Sequence, residues 1–297
     1  MAPASPVVGS RRSRSSEAAS SQATPSHSRS DSSGARPRRA HAPGAPPLAG
    51  RHAIVTGASR GIGAAIAAEL ARLGANLTII GRNAAGLRAV GERLRSSNVE
   101  VSEIAADVTD EQAVARVAAA LQHPAILINN AGGAESAPFA KTDSALWQRM
   151  LELNLTSVYA MTRAAAPAMI AAGWGRIVNV ASTAGLKGYP YVSAYVAAKH
   201  GVVGLTRALA IEFAKTGVTV NAVCPGYTDT PMLDGAVAAI ASKTKRSEAE
   251  ARAQLAAANP MGRLVTPEEV AATVGWLCLP EAASITGQAI PIAGGEL

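Results

Sequence analysis

From Leu48 to the end of the chain, short apolar runs alternate with longer helix-like stretches about seven times, and this order constrains the fold more than any other feature. RHAIVTG, NLTIIG, VEVSEIAAD, AILINNAG, RIVNVAS, VTVNAVCPG and AIPI read as strands, apolar in the way that parallel strands buried on both faces are. Between them, AAIAAELARLG, AAGLRAVGERLRSS, EQAVARVAAALQ, a long stretch around 144–172, the segment holding Tyr195 and Lys199, and a segment from about 267 read as helices. The alternation predicts one α/β domain, a doubly wound parallel sheet with helices on both faces; no solenoid period is present. Such sheets bind ligands at the carboxyl ends of their strands, so the residues just after each strand are the place to look for function.

Residues 1–47 have a different character. They are rich in Ser, Pro, Ala and Arg and contain no Leu, Ile, Phe, Trp or Tyr, too little apolar surface to offset the entropy of ordering. A disordered tail is expected, with residues 48–297 as the folded domain. Of the net charge of +7, the first fifty positions carry seven Arg against Glu17 and Asp31, so the basic pI says little about a nucleic-acid partner for the domain. The tail alone fits a solvated segment, a contact for polyanions through RRSR at 11–14, an organelle transit peptide or an over-extended start. The sequence has no run long and apolar enough for a membrane span and no signal-peptide core. Cys224 and Cys278 are too few for a zinc site and need no disulfide; no metal is expected, and a cytoplasmic location is.

The first strand runs into TGASRGIG, residues 56–63. Gly57, Gly61 and Gly63 there allow close backbone approach to a pyrophosphate facing the free N–H groups of a helix. The second strand ends in Gly81-Arg82-Asn83, with no carboxylate to hold a 2′-hydroxyl. A guanidinium at Arg82, with Arg60 in the turn, favours NADP(H) over NAD. Asp107 in ADVTD is placed to reach an adenine edge or, equally, to cap the helix starting near Glu111. In YVSAYVAAKH, Tyr195 and Lys199 are four apart and share a helix face.

TGASRGIG, NNAG at 129–132, Asn154 in ELNLTSVY, Ser182 after RIVNVAS, and the Tyr195–Lys199 pair occur in this order. Together they resemble the short-chain dehydrogenase/reductase family over about residues 48–295, and CPGYTDTP at 224–231 is similar to the family's Pro-Gly segment beside the nicotinamide. The resemblance implies a Rossmann-like fold and a homo-oligomer, tetramer or dimer. It also implies a catalytic set of Asn154, Ser182, Tyr195 and Lys199. Tyr195 would give a proton to a carbonyl oxygen, Ser182 would hold that oxygen, Lys199 would lower the phenol's pKa and bind the ribose, and Asn154 would hold a water. The cofactor residues it implies are Gly57, Ser59, Arg60, Gly61, Ile62 and Gly63 in the turn, Arg82, Asp107 and Val108 on the adenosine side, and Asn130 and Gly132 in NNAG. Tyr195, Lys199, Pro225, Gly226, Thr228 and Thr230 complete that set. The end IPIAGGEL departs from the family's frequent Asp before the double Gly, having Ala293 instead.

Residues 232–262 correspond to the lid of this family, mostly Ala with Lys243, Lys245 and Arg246. That cluster reads as a solvated helix face or as a contact for the phosphates of a coenzyme A or phosphopantetheine arm. Two subgroups are similar: 3-oxoacyl-thioester and polyketide ketoreductases, and bacterial 3-hydroxybutyrate dehydrogenases. The latter hold a free carboxylate with Gln, His and Lys, where this chain has Ala134, Ala184 and Val192. The expectation is therefore an NADPH-dependent reduction of a ketone, a 3-oxoacyl thioester first. The alternatives are oxidation of a secondary alcohol, a 3-hydroxyacyl-CoA or 3-hydroxybutyrate, or a cofactor-binding protein without catalysis.

Overall fold

The computed structural model describes residues 45–120 and 123–297. The tail expected to be disordered lies outside the described residues up to position 44. Its last residues already belong to the fold: the Ala49 N–H donates to the Pro46 carbonyl at 3.0 Å, and Pro46 occupies the space beside Gly74. The buried Leu48 then donates to Leu73 O at 2.9 Å, so the packed chain starts slightly before the expected boundary.

Strands β1 (His52–Thr56), β2 (Asn76–Gly81), β3 (Val101–Ala105), β4 (Ile126–Asn129), β5 (Gly175–Val180), β6 (Val218–Pro225) and β7 (Ala289–Ile292) form one sheet in the order β3-β2-β1-β4-β5-β6-β7, with every pairing parallel. The chain runs outward from β1 to β3 and then returns to lay β4 on the other side of β1. This makes β1/β4 the switch point where such sheets open a crevice. The central strands β4, β5 and β6 are buried throughout, as their unbroken apolar runs require.

Helices α1 (Gly61–Arg72) and α9 (Pro267–Cys278) pack on one face through Ile66, Leu70, Val270 and Val274. Helices α5 (Ser157–Ala172) and α6 (Ser193–Glu212) cover the other with Met161, Ala165 and Ala210. Each fully buried Leu or Ile in these layers contributes about 1.5–3 kcal/mol. Helix α2 (Ala84–Arg95) starts at Asn83, whose side chain accepts from the Gly86 N–H at 3.0 Å. The long helical stretch divides into α4 (Ser144–Leu151) and α5, joined by one π turn over Glu152–Thr156. The expected lid is a pair of helices, α7 (Pro231–Thr244) and α8 (Glu248–Ala257), packed together through Leu233, Val237, Ala251 and Leu255. Helix α3 (Glu111–Ala120) completes the set. Among the described residues no helix is long and apolar enough to cross a membrane.

Candidate active site

The glycine turn closes at the carboxyl end of β1. Gly57 and Gly61 have φ of +66° and +58°, conformations that strain any other residue. A Cβ on Gly57 would stand 2.9 Å from Ala131 Cα, and one on Gly63 would stand 2.4 Å from both Asn130 Nδ2 and Gly57 O. Asn130 causes this crowding: its amide donates to Thr56 O at 2.9 Å and Gly57 O at 3.2 Å, stitching the end of β4 to the turn. The Asn130 side-chain donors are thus used in holding the turn itself. Thr56 completes the stitch, its Oγ1 accepting from the N–H groups of Asn130 and Ala131 at 3.0 Å each.

Helix α1 begins at Arg60 with no side-chain cap and no acid in its first turn, so its leading N–H groups have no carboxylate in front of them. An anion fits such an end. Thr230 stands over it, its Cγ2 3.3 Å from where a Gly61 Cβ would be, and Ile62 is half-buried behind it. Ser59 packs against Gly81 and Gly86, bringing the turn to the end of β2, where Arg82 is exposed; Arg60 is exposed too. The Arg82 guanidinium lies 3.8 Å from Asp107. The other oxygen of Asp107 accepts from the Thr109 N–H and hydroxyl at 3.0 and 2.8 Å. Burial acts to raise the Asp107 pKa, but these bonds and Arg82 outweigh it and hold the carboxyl below its usual value. Asp107 does not cap α3; Asp110 does, accepting from the Gln112 N–H at 2.9 Å. Val108 is buried between them in the core.

Asn154 sits fully buried in the π turn. Its Nδ2 donates to Gly133 O at 2.9 Å and Met150 O at 3.0 Å, and its Oδ1 accepts from the Gly133 N–H at 3.1 Å. Both ends of the side-chain amide are thus engaged within the protein, chiefly with residue 133. A π turn at this point is placed as such turns often are, at a functional site. A Cβ on Gly132 would lie 2.9 Å from Asn154 Oδ1 and 3.6 Å from Lys199 Nζ, so both side chains converge on that glycine.

Lys199 is buried with 4% exposure, its ammonium donating to Val180 O at 2.8 Å and lying 5.6 Å from the centre of the Tyr195 ring. Burial pulls its pKa down to about 8, with Cys224 acting the other way. Ser182 opens a 3₁₀ turn after β5, where its Oγ accepts from the Ala184 N–H at 3.1 Å and faces the Tyr195 phenol. At Tyr195, burial raises the pKa above the ordinary value, and the interaction with Ser182 offsets this only in part. Without a cofactor's charge the phenol is held protonated.

Past β6, the Gly226 N–H donates to Ile292 O at 3.0 Å, Thr228 Oγ1 donates to Gly226 O at 3.0 Å, and Thr228 pairs with Val265. Pro225 and Thr228 are buried, which fixes this segment beside the site. In the lid, Arg246 is engaged by Gln254 and Lys245 has a φ of +58° at the end of α7, while the Lys243 side chain lies outside the described residues. Three features had no signal in the sequence. Arg252 of α8 pairs with Asp229 and, at 3.1 Å, with Asp234; Tyr189 and Lys187 both meet Glu296.

A family model described as short chain dehydrogenase matches residues 51–241. Ketoacyl reductase 1 of the granaticin polyketide synthase of Streptomyces violaceoruber is 43% identical over 249 residues, covering 82% of this chain and 92% of that protein. The 3-oxoacyl-acyl-carrier-protein reductase of Pseudomonas aeruginosa is 38% identical over 252 residues, 84% of this chain and 98% of the other. A crystal structure of an actinorhodin polyketide ketoreductase variant with NADPH superposes with a TM-score of 0.78 at 40% identity, over 83% of this chain and 97% of that one. The chain belongs to the short-chain dehydrogenase/reductase family and is an oxidoreductase.

Proposed function

We propose that the protein is an NADPH-dependent carbonyl reductase that converts a ketone, a 3-oxoacyl thioester first among candidates, to a secondary alcohol. The observation that carries this reading is the convergence of Ser182, Tyr195 and Lys199 beside an uncapped helix end at the switch point of the sheet. The turn at Gly57–Gly63 with Thr230 would hold the pyrophosphate, Arg60 and Arg82 a 2′-phosphate, and Lys199 the nicotinamide ribose; Val108, Gly132, Pro225, Gly226 and Thr228 would line the rest. When bound, the nicotinamide supplies hydride.

The chain's own residues do the remaining chemistry. Ser182 donates to the substrate oxygen and sets its position. Tyr195, whose phenol burial holds above its ordinary pKa, passes its proton to that oxygen as negative charge develops there. Lys199, with a pKa near 8, is charged at neutral pH and close to its titration point, which suits a group that replaces the phenol's proton. Asn154 acts through Gly133 and the π turn, fixing the segment that faces Lys199.

A neutral or thioester-linked ketone is favoured because Ala134, Ala184 and Val192 offer a carboxylate no partner, and because the relatives named above are ketoacyl and 3-oxoacyl reductases. A homo-oligomer, tetramer or dimer, is part of this reading through the family resemblance. The two buried free cysteines suit a reducing cytoplasm. The test is a spectrophotometric panel of NADPH and NADH with acetoacetyl-CoA, acetoacetate and cyclic ketones. NADPH oxidation with acetoacetyl-CoA is expected; activity confined to NADH and acetoacetate overturns both the cofactor and the substrate.

A further inference from the structure

Glu296 follows β7 in a tight turn. Gly294 and Gly295 have φ of +59° and +89°, and the Glu296 N–H donates to Ala293 O at 3.1 Å. Two successive left-handed residues fold the chain back and turn the carboxylate inward, leaving its side chain 7% exposed. There Oε1 accepts from the Tyr189 phenol at 2.5 Å and from Lys187 Nζ at 2.9 Å. Oε2 faces Gly226, 3.2 Å from where a Cβ would stand. Tyr189 has one proton to give, so with that proton on Glu296 the 2.8 Å bond between Tyr189 and Thr183 is donated by the threonine. Thr183 adjoins Ser182, and Tyr227 adjoins Gly226. The Tyr189 and Tyr227 rings meet edge-to-face at 6.5 Å and 77°, and Tyr227 packs on into the lid cluster of Leu233 and Val237. The two rings thus form a wall that joins the Ser182 loop, the Pro-Gly segment and the lid.

The only cation on this wall, among the described residues of the cluster, is Lys187, half-exposed and lying 5.1 Å over the Tyr189 ring. Unpaired, it would draw a substrate carboxylate to the wall. Paired with Glu296 it presents no net charge, and what remains is aromatic edge and face. An ion pair with its ammonium this exposed brings little net stability, so stability alone gives little reason for the pair to be here. Deepening the ketone-reductase reading on which it rests, we propose that Glu296 is a specificity-determining residue that neutralises Lys187 and positions Tyr189, so that the wall accepts a neutral acyl or ester chain and turns away a free carboxylate.

The test uses two ketones with the same reacting carbonyl, acetoacetate and ethyl acetoacetate, on the full chain with NADPH. Glu296→Gln keeps the shape and an acceptor for Tyr189 but frees the ammonium. It should raise the acetoacetate-to-ester ratio of kcat/KM by about tenfold, the worth of one charged hydrogen bond. Adding Lys187→Met should return the ratio to the wild-type value, which a merely structural role for Glu296 does not predict. A ratio in Glu296→Gln within twofold of wild type, or a rise that survives Lys187→Met, overturns the proposal. Should the wild type turn over neither ketone, the reductase reading is decided by the acetoacetyl-CoA assay above, and the charge proposal by calorimetry of acetoacetate binding to the NADPH-loaded protein. A tenfold gain in affinity in Glu296→Gln supports it, and an unchanged affinity overturns it.

Discussion

Replacing Thr56 with Val tests how the cofactor end of the sheet is held together. Thr56 is 2% exposed, and its hydroxyl uses its whole bonding capacity: two accepted bonds at 3.0 Å from Asn130 and Ala131, and one donated to Ile128 O at 3.4 Å. Valine matches the shape and removes all three. Two part-buried backbone N–H groups then lose their acceptor, at about 1–2 kcal/mol each, while the Asn130 amide still ties the turn. The expected loss is about 2–4 kcal/mol, read as a lower urea midpoint at an unchanged m value. NADPH affinity, measured by cofactor fluorescence, should fall with it, and Thr56→Ser should restore both. A Thr56→Val protein within about 0.5 kcal/mol of wild type would refute the reasoning, since two part-buried donors left without an acceptor cost more than that.

Two further outcomes follow from burial. Lys199 has a folded pKa near 8 against an ordinary value of 10.5, so between these pH values the unfolded chain binds more protons and this residue's contribution to stability rises with pH. The difference in urea midpoint between wild type and Lys199→Met should therefore grow from pH 8 to 10.5; a flat difference contradicts the shift. Cys224 and Cys278 are buried, with pKa values pushed up to about 11 and about 12, so iodoacetamide at pH 8 should label neither in the native protein and both in urea, as read by mass spectrometry.

The strands were legible because a strand buried on both faces leaves an unbroken apolar run, and Tyr195 and Lys199 because a helix brings residues four apart together. Other features depend on contacts that no local pattern records. The π turn at Asn154 is held by residue 133, and Glu296 meets Tyr189 across 107 positions through a glycine turn with no periodicity. Which Asp of ADVTD caps α3 turns on the backbone geometry at two positions three residues apart. Tyr195 shows a related division: its Lys partner is visible in the sequence, whereas the burial that raises the phenol's pKa is a property of the packed molecule.

The central claim is that the Tyr195 phenol delivers the proton to a ketone oxygen. NADPH oxidation by Tyr195→Phe with acetoacetyl-CoA tests it most directly, with NADPH affinity measured on the same preparation. The account predicts turnover lowered by at least about a hundredfold with cofactor binding retained. Turnover within a few-fold of wild type would contradict it.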